Sequence, residues 1–420
     1  MTRKEQAFQL LESMKEEIFE LGDRLFSAPE LGFKEEETAR LISSYLTEKG
    51  ILHEKGLALT GIRARLGDQG YHIGLLADMD ALPVQGEEGP LTMHACGHSI
   101  QITVMLAVLT VLKKMALMEE LPGRISFMAA PAEEYVDLDF RRDLIRAGKI
   151  RFPSGKQNMI ADGAFDDVDC VLSCHISGSE FFRFDVGSSL AGFSAKKVIF
   201  EGRAAHSGVA PHEGINALHA ATLCLQAAAF LTQQFPLEAG IRLYPILNEG
   251  GVSMNAIPER AVLETYLRAN KTEDLFLLQD KFEKAARHSA LGLGASCRIE
   301  HTIGYLPLKQ SDALNEIVYR NMRTLCEEDM IEKNPVSGAS GDIGDVAAIL
   351  PAVQFGFSGS KGRVHSRDFE IADPHRTYMD PARVLLGTLI DLLENPELQV
   401  KNPDYLSDKA AYLEGWLLQD

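Results

Sequence analysis

The stretch Met93-His94-Ala95-Cys96-Gly97-His98-Ser99 constrains this chain more than any other. It sets a thiol and an imidazole two residues apart, with glycine between them. In an extended loop, positions i and i+2 project to the same side, and Gly97 lets the backbone bend tightly. The Cys96 sulfur and a His98 nitrogen can therefore converge on one cation, and both suit a borderline-soft metal such as zinc. A buried cysteine beside a hydrogen-bonded histidine gives the same local pattern. What decides is whether further ligands come to meet the pair.

Three apolar runs end in such groups. Residues 74–77 form a short apolar run suited to a buried central strand, ending in Asp78-Met79-Asp80-Ala81-Leu82-Pro83. Open α/β sheets place their sites beyond the carboxyl ends of such strands. Residues 124–130 end in Pro131-Ala132-Glu133-Glu134. There one carboxylate can hold a metal while its neighbour handles a proton. Residues 171–174 run into His175, with Cys174 facing the opposite side. Without a metal, the acidic pairs would be ordinary solvated turns.

The rest of the chain reads as two domains, one inserted in the other. Apolar positions at helical spacing predict a helix over 3–28 and a second over 35–49, closed by Gly50. Residues 61–66 alternate as a half-buried strand, and 100–117 form a long apolar helix. Residues 135–156 are dense in charge and read as a surface insertion ahead of a helix at 156–163. From 191 the pattern changes. Strands at 193–200, 242–247, 260–267 and 295–302 alternate with helices at 213–234 and 272–290, a β-α-β-β-α-β order that is ferredoxin-like. The α/β pattern then resumes, with a helix at 311–327, a strand at 352–357 and a closing helix at 381–394. The expected division is 1–190 and 305–420 for a catalytic α/β domain with a mostly parallel sheet, and 191–304 for the insertion. Asp342 and Asp345 read as helix caps.

Composition excludes some partners. A net charge of −18 disfavours nucleic acid and anionic membranes. No apolar run reaches the length of a membrane span. The opening residues lead into an amphipathic helix rather than a signal peptide, and the six scattered cysteines read as reduced thiols. A cytoplasmic setting is expected.

In family order, the motifs resemble the dinuclear metallohydrolases that include aminoacylase and zinc carboxypeptidases. They are most similar to the amidohydrolase branch, with hippurate, auxin-conjugate and aminobenzoyl-glutamate hydrolases. The matching pieces are Pro29-Glu30-Leu31-Gly32, the Asp78–Pro83 and His94–His98 motifs, Pro131-Ala132-Glu133-Glu134, His175, Ala205-His206-Ser207, Asn255-Ala256-Ile257-Pro258 and His365-Ser366. The resemblance implies a metallo-aminopeptidase-like catalytic domain with an inserted lid that carries homodimer contacts. It implies two divalent metal ions per subunit, zinc or manganese before cobalt or nickel, held by Cys96, His98, Glu134, His175 and His365. Glu133 would be the general base acting on a metal-bound water, and Asp80 would steady a ligand. His206 would stabilise the oxyanion in the neighbouring subunit's site. Asn255 and Arg268 would meet the substrate carboxylate. His94 and His212 are left as structural or supporting groups.

The implied reaction is hydrolysis of an N-acyl or aryl-amide bond to an amino acid. A dipeptidase or carboxypeptidase of the same family is the alternative, or a metal-poor relative that binds without turnover. That last alternative has a basis in the sequence. The branch usually carries Asp and His where Ser99 and Gln101 stand, a histidine at Phe26, and a different motif at Ser340-Gly341-Asp342-Ile343-Gly344-Asp345.

Overall fold

The computed structural model describes residues 1–87, 89–179 and 181–418. The chain divides into two compact units. The larger comprises Met1–Ser189, Lys309–Val336 and Asp345–Asp420, and the smaller comprises Leu190–Leu308 and Ser337–Gly344.

The larger unit is built on an eight-stranded sheet. Its strands lie in the order His53–Leu57, Gly61–Leu66, Gly123–Ala130, Tyr71–Asp78, Cys170–Ile176, Ala352–Phe357, Phe184–Val186, Ile331–Lys333. The four central strands run parallel. Tyr71–Asp78 is buried along its whole length, as a strand flanked and covered on both faces must be. Its register sets Asp78 opposite Ala130. The two acidic motifs therefore leave the sheet side by side, and the Met79 N–H donates to the Ala130 carbonyl at 2.9 Å.

The helix His98–Lys114 is buried from His98 to Leu112. Gly97 precedes it at φ 84° in the left-handed region. A Cβ there would lie 2.7 Å from Ile176 Cγ2, so both backbone and space require glycine. The single helix predicted over 3–28 is two, Arg3–Ser13 and Lys15–Phe26, joined at Met14. The break keeps Leu11, Met14, Ile18, Leu21 and Leu25 all buried. The strand at 61–66 is buried at five of its six positions rather than alternately exposed, because it pairs inside the sheet on both sides.

The charge-dense segment 135–156 differs from the surface insertion expected of it. It contains the helix Leu138–Arg146, and although several of its charges are exposed, Arg141 and Lys156 are buried.

The smaller unit is a five-stranded antiparallel sheet carrying the helices Ala217–Leu231 and Thr272–Gly292. The strand expected at 242–247 is two short ones, Arg242–Leu243 and Ile246–Glu249, both paired with Arg260–Ala269. The helix expected from 213 starts at Ala217, where the Asn216 side chain accepts the His219 N–H at 3.1 Å. Among the described residues no helix is long and apolar enough to cross a membrane, and all six cysteines are free.

Candidate metal centre

Five side chains from four places in the larger unit gather at the carboxyl end of its sheet. Cys96 Sγ lies 3.5 Å from His175 Nε2 and 3.3 Å from His365 Nε2. His365 Nε2 lies 3.2 Å from Glu134 Oε1. Three overlapping sets of metal-ligand type, Cys96/His98/His175, Cys96/Glu134/His365 and His98/Glu133/Glu134, each have donor atoms within 4.8 Å of one another.

The histidines are aimed by their other ring nitrogens. His98 Nδ1 donates to the Asp80 carbonyl oxygen at 2.8 Å and lies 3.2 Å from Asp80 Oδ1. With the proton on Nδ1, the Nε2 lone pair faces the cluster. His175 Nδ1 likewise donates to the Ile176 carbonyl at 2.8 Å, which turns its Nε2 toward Cys96. Burial pushes the His175 pKa down to about 4, with His98 adding to the effect. A neutral imidazole is the form that ligates.

Asp80 joins two of the strand ends. One of its oxygens faces His98, and the other, Oδ2, accepts the Glu134 N–H at 2.9 Å. Burial pushes its carboxyl up, but His98, Arg141 and the Glu134 amide outweigh this and hold it below the usual carboxylate range. Glu133 Oε2 stands 4.0 Å from His98 Nε2, on a less deeply buried side chain.

The donor set fits a metal. Buried polar atoms are normally hydrogen-bonded, yet His98 Nε2 is buried without a hydrogen-bond partner among the described residues. Burial, then Glu134, raises the Cys96 thiol far above its ordinary value. A cation would reverse that preference, since a coordinated thiol deprotonates. Sulfur, nitrogen and oxygen donors together suit zinc, manganese, cobalt or nickel.

Residues outside the motifs brace this site. Ala132, just before Glu133, has φ 55°, a conformation costly for a side-chain-bearing residue. It is held from both sides. Its N–H donates to Glu35 Oε1 at 2.9 Å, and its carbonyl accepts from Arg141 Nη1 at 3.2 Å. Arg141 also donates to the Glu134 carbonyl and, at 2.6 Å, to that of Pro153. Gly32, of the Pro-Glu-Leu-Gly motif, lets this loop approach, since a Cβ there would meet Ala132 Cα at 2.7 Å. Burial, with Asp80 nearby, raises the Glu35 carboxyl to about 7. Lys156 donates to Asp78 Oδ1, and the Asp78 N–H donates to Gln101 Oε1 at 2.7 Å. Sequence reading missed Glu35, Arg141 and Lys156 as site residues. Their charges carry no local signal, because what they grip is backbone or an acid far away in the chain.

The other candidates stand elsewhere. Ser99 Oγ and Gln101 Nε2 are buried without a hydrogen-bond partner among the described residues. His94 is buried, and its pKa is lowered to about 4 by burial and by His98. Asp342 precedes the short helix Ile343–Ala347, and Asp345, in its first turn, accepts from Gln157 Nε2 at 3.3 Å. His206, Asn255 and Arg268 belong to the smaller unit. His206 Nδ1 accepts the Gly208 and Val209 N–H groups at 3.2 Å, and the Ser207 N–H donates to the Asn255 carbonyl at 2.9 Å. Exposed His206 and Asn255 are thus neighbours on one loop pair. His212 is exposed in the Pro211–Glu213 turn.

The chain is 26% identical over 421 residues to a Xaa-Arg dipeptidase of Mus musculus, covering 94% of this chain and 90% of that one. It is 28% identical over 370 residues to an IAA-amino acid hydrolase of Arabidopsis thaliana, covering 80% of this chain and 71% of that one. Its fold matches the crystal structure of a dinuclear metal binding M20 peptidase of Bacillus subtilis. That match has a TM-score of 0.72 at 19% identity, covering 91% of this chain and 99% of that one. Residues 74–390 match the profile described as Peptidase family M20/M25/M40, a span holding every candidate ligand and the candidate base. This chain belongs to that family.

Proposed function

We propose that the chain is a metal-dependent amidohydrolase that cleaves the amide bond of N-acyl or aryl-amide conjugates of amino acids. The observation that carries this reading is the convergence of Cys96, His98, Glu134, His175 and His365, with Glu133 beside them. We assign the five as ligands of two divalent ions, zinc or manganese before cobalt or nickel. Such ions, when bound, acidify water and polarise a carbonyl.

The chain's own residues do the rest. Glu133 removes a proton from the attacking water and delivers it to the leaving nitrogen. A C–O bond forms and the C–N bond breaks. One water is consumed, giving a carboxylate and an amine. Asp80 holds His98 and Glu134 in place, and Arg141 and Glu35 fix the loop that carries the base. His206 of the partner subunit in a homodimer formed through the smaller unit donates to the oxyanion. Asn255 and Arg268 receive the substrate carboxylate. The free cysteines suit a cytoplasmic setting.

A dipeptidase is the second reading, favoured by the likeness to the mouse Xaa-Arg dipeptidase along nearly the whole chain. A screen of metal-replete protein against N-acetyl amino acids, hippurate-type amides and dipeptides separates the two. Turnover of the first two classes, abolished by Glu133→Gln, is expected. Turnover of dipeptides alone selects the second reading. Turnover that survives Glu133→Gln removes Glu133 as base.

A further inference from the structure

Arg242 and Arg268 stand directly opposite each other on the antiparallel pair of Arg242–Leu243 with Arg260–Ala269. Like charges at directly opposed positions of a ladder are destabilising. Both guanidinium groups nonetheless reach one atom. Arg242 Nη1 donates to the Gly338 carbonyl oxygen at 3.2 Å and Arg268 Nη1 to the same oxygen at 3.1 Å. The approach is close enough that a Cβ on Gly338 would meet Arg242 Nη1.

A neutral carbonyl cannot balance two cations. Among the described residues neither arginine has a carboxylate within ion-pairing distance, in a chain with 60 acidic side chains against 42 basic ones. Three exposed arginines of the smaller unit do have one, Arg260 in Glu249 at 2.8 Å, Arg287 in Glu283 and Arg298 in Glu300, while Arg203, among the described residues, donates to the Glu213 carbonyl alone. Arg268 is also held in place. Its guanidinium carbon lies 5.7 Å from the Phe193 ring centroid and 5.9 Å from that of Tyr266. Burial and the facing Arg242 both disfavour its charged form, a strain that a bound anion relieves.

We propose that Arg242 and Arg268 together form a binding site for a dicarboxylate, so that the favoured amino acid portion of the substrate is acidic, aspartate or glutamate. The assignment to substrate rests on the amidohydrolase reading, in which Arg268 takes the α-carboxylate. Arg242 then takes the side-chain carboxylate, and the fork of each guanidinium allows bidentate contact.

The test is isothermal titration of the metal-loaded full-length protein with glutarate and, separately, with butyrate. Glutarate should bind at least about tenfold more tightly than butyrate, as one added charge-assisted pair allows. Arg242→Gln should bring glutarate down to the level of butyrate, and Arg242→Lys should recover part of the difference. Equal binding of the two probes, binding of neither, or a glutarate preference that survives Arg242→Gln overturns the proposal. In parallel, N-acetyl-glutamate and N-acetyl-leucine are assayed as substrates. If neither is hydrolysed while the Arg242-dependent glutarate preference holds, the site stands and the amidohydrolase reading falls. If both are hydrolysed equally well and glutarate shows no preference, the reverse is true.

Discussion

Arg141 Nη1 donates to the carbonyl oxygen of Ala132 at 3.2 Å. The same guanidinium reaches the Glu134 carbonyl, so one side chain grips the backbone on both sides of Glu133. Ala132 sits at φ 55°, and Glu35 secures its N–H. A strained loop over-determined in this way is what a positioned base requires.

Replacing Arg141 by Met leaves three buried carbonyls without their donor. The expected cost is roughly 2–4 kcal/mol of stability, read by denaturant unfolding. Misplacement of Glu133 should lower kcat by about 10–100-fold with little change in KM. Arg141→Lys, which keeps the charge but not the fork, should recover stability more than rate. A kcat that is unchanged in the folded Met variant would show that the loop holds its shape unaided.

Glu133→Gln should lower kcat by about 10²–10⁴-fold, the usual contribution of a general base. Metal content, measured on the same samples, should be unchanged, because Glu134 rather than Glu133 is assigned as the ligand. Loss of metal together with rate would instead make Glu133 a ligand.

Chelation should lower the thermal midpoint, and readdition of zinc or manganese should restore it. Saturation at about 100 times Kd stabilises by about 2.7 kcal/mol. In His98→Ala the chelator shift should be clearly smaller. An undiminished chelator shift in that variant would place the metal elsewhere.

The buried His72 gives a pH dependence away from the site. Burial, partly opposed by Asp167, lowers its pKa from 6.5 to about 4. Between those values the unfolded chain binds a proton that the folded chain refuses. Stability is therefore full above pH 6.5 and falls as pH drops toward 4, by on the order of 3 kcal/mol from this group. His72→Gln should flatten that part of the stability curve, measured by denaturant midpoints from pH 7 to 4. A slope that is unchanged would assign the loss to other groups.

Much of this was readable in the residues because each candidate ligand stands next to a buried strand or a long apolar helix. Residues 74–77 and 124–130 had no alternative but the sheet interior, and Asp80 and Glu134 follow from where those strands stop. The reading failed where tertiary contacts outvote local character. Phe184–Val186 and Ile331–Lys333 are three-residue strands, too short to show a period. Arg141 and Lys156 lie among charges that look solvated, yet both turn inward, one to backbone carbonyls and the other to Asp78. Glu35 looked like the first residue of a helix and is instead buried beneath Ala132.

The most direct test is the metal content of purified protein loaded with zinc or manganese and freed of excess ion, beside Cys96→Ser and Glu134→Ala. Two ions per chain are predicted, released by chelator together with activity, with fewer than two retained in each variant. Less than one ion per chain in the loaded wild-type protein, or a count that neither variant changes, would contradict the assignment of Cys96, His98, Glu134, His175 and His365 as the ligands.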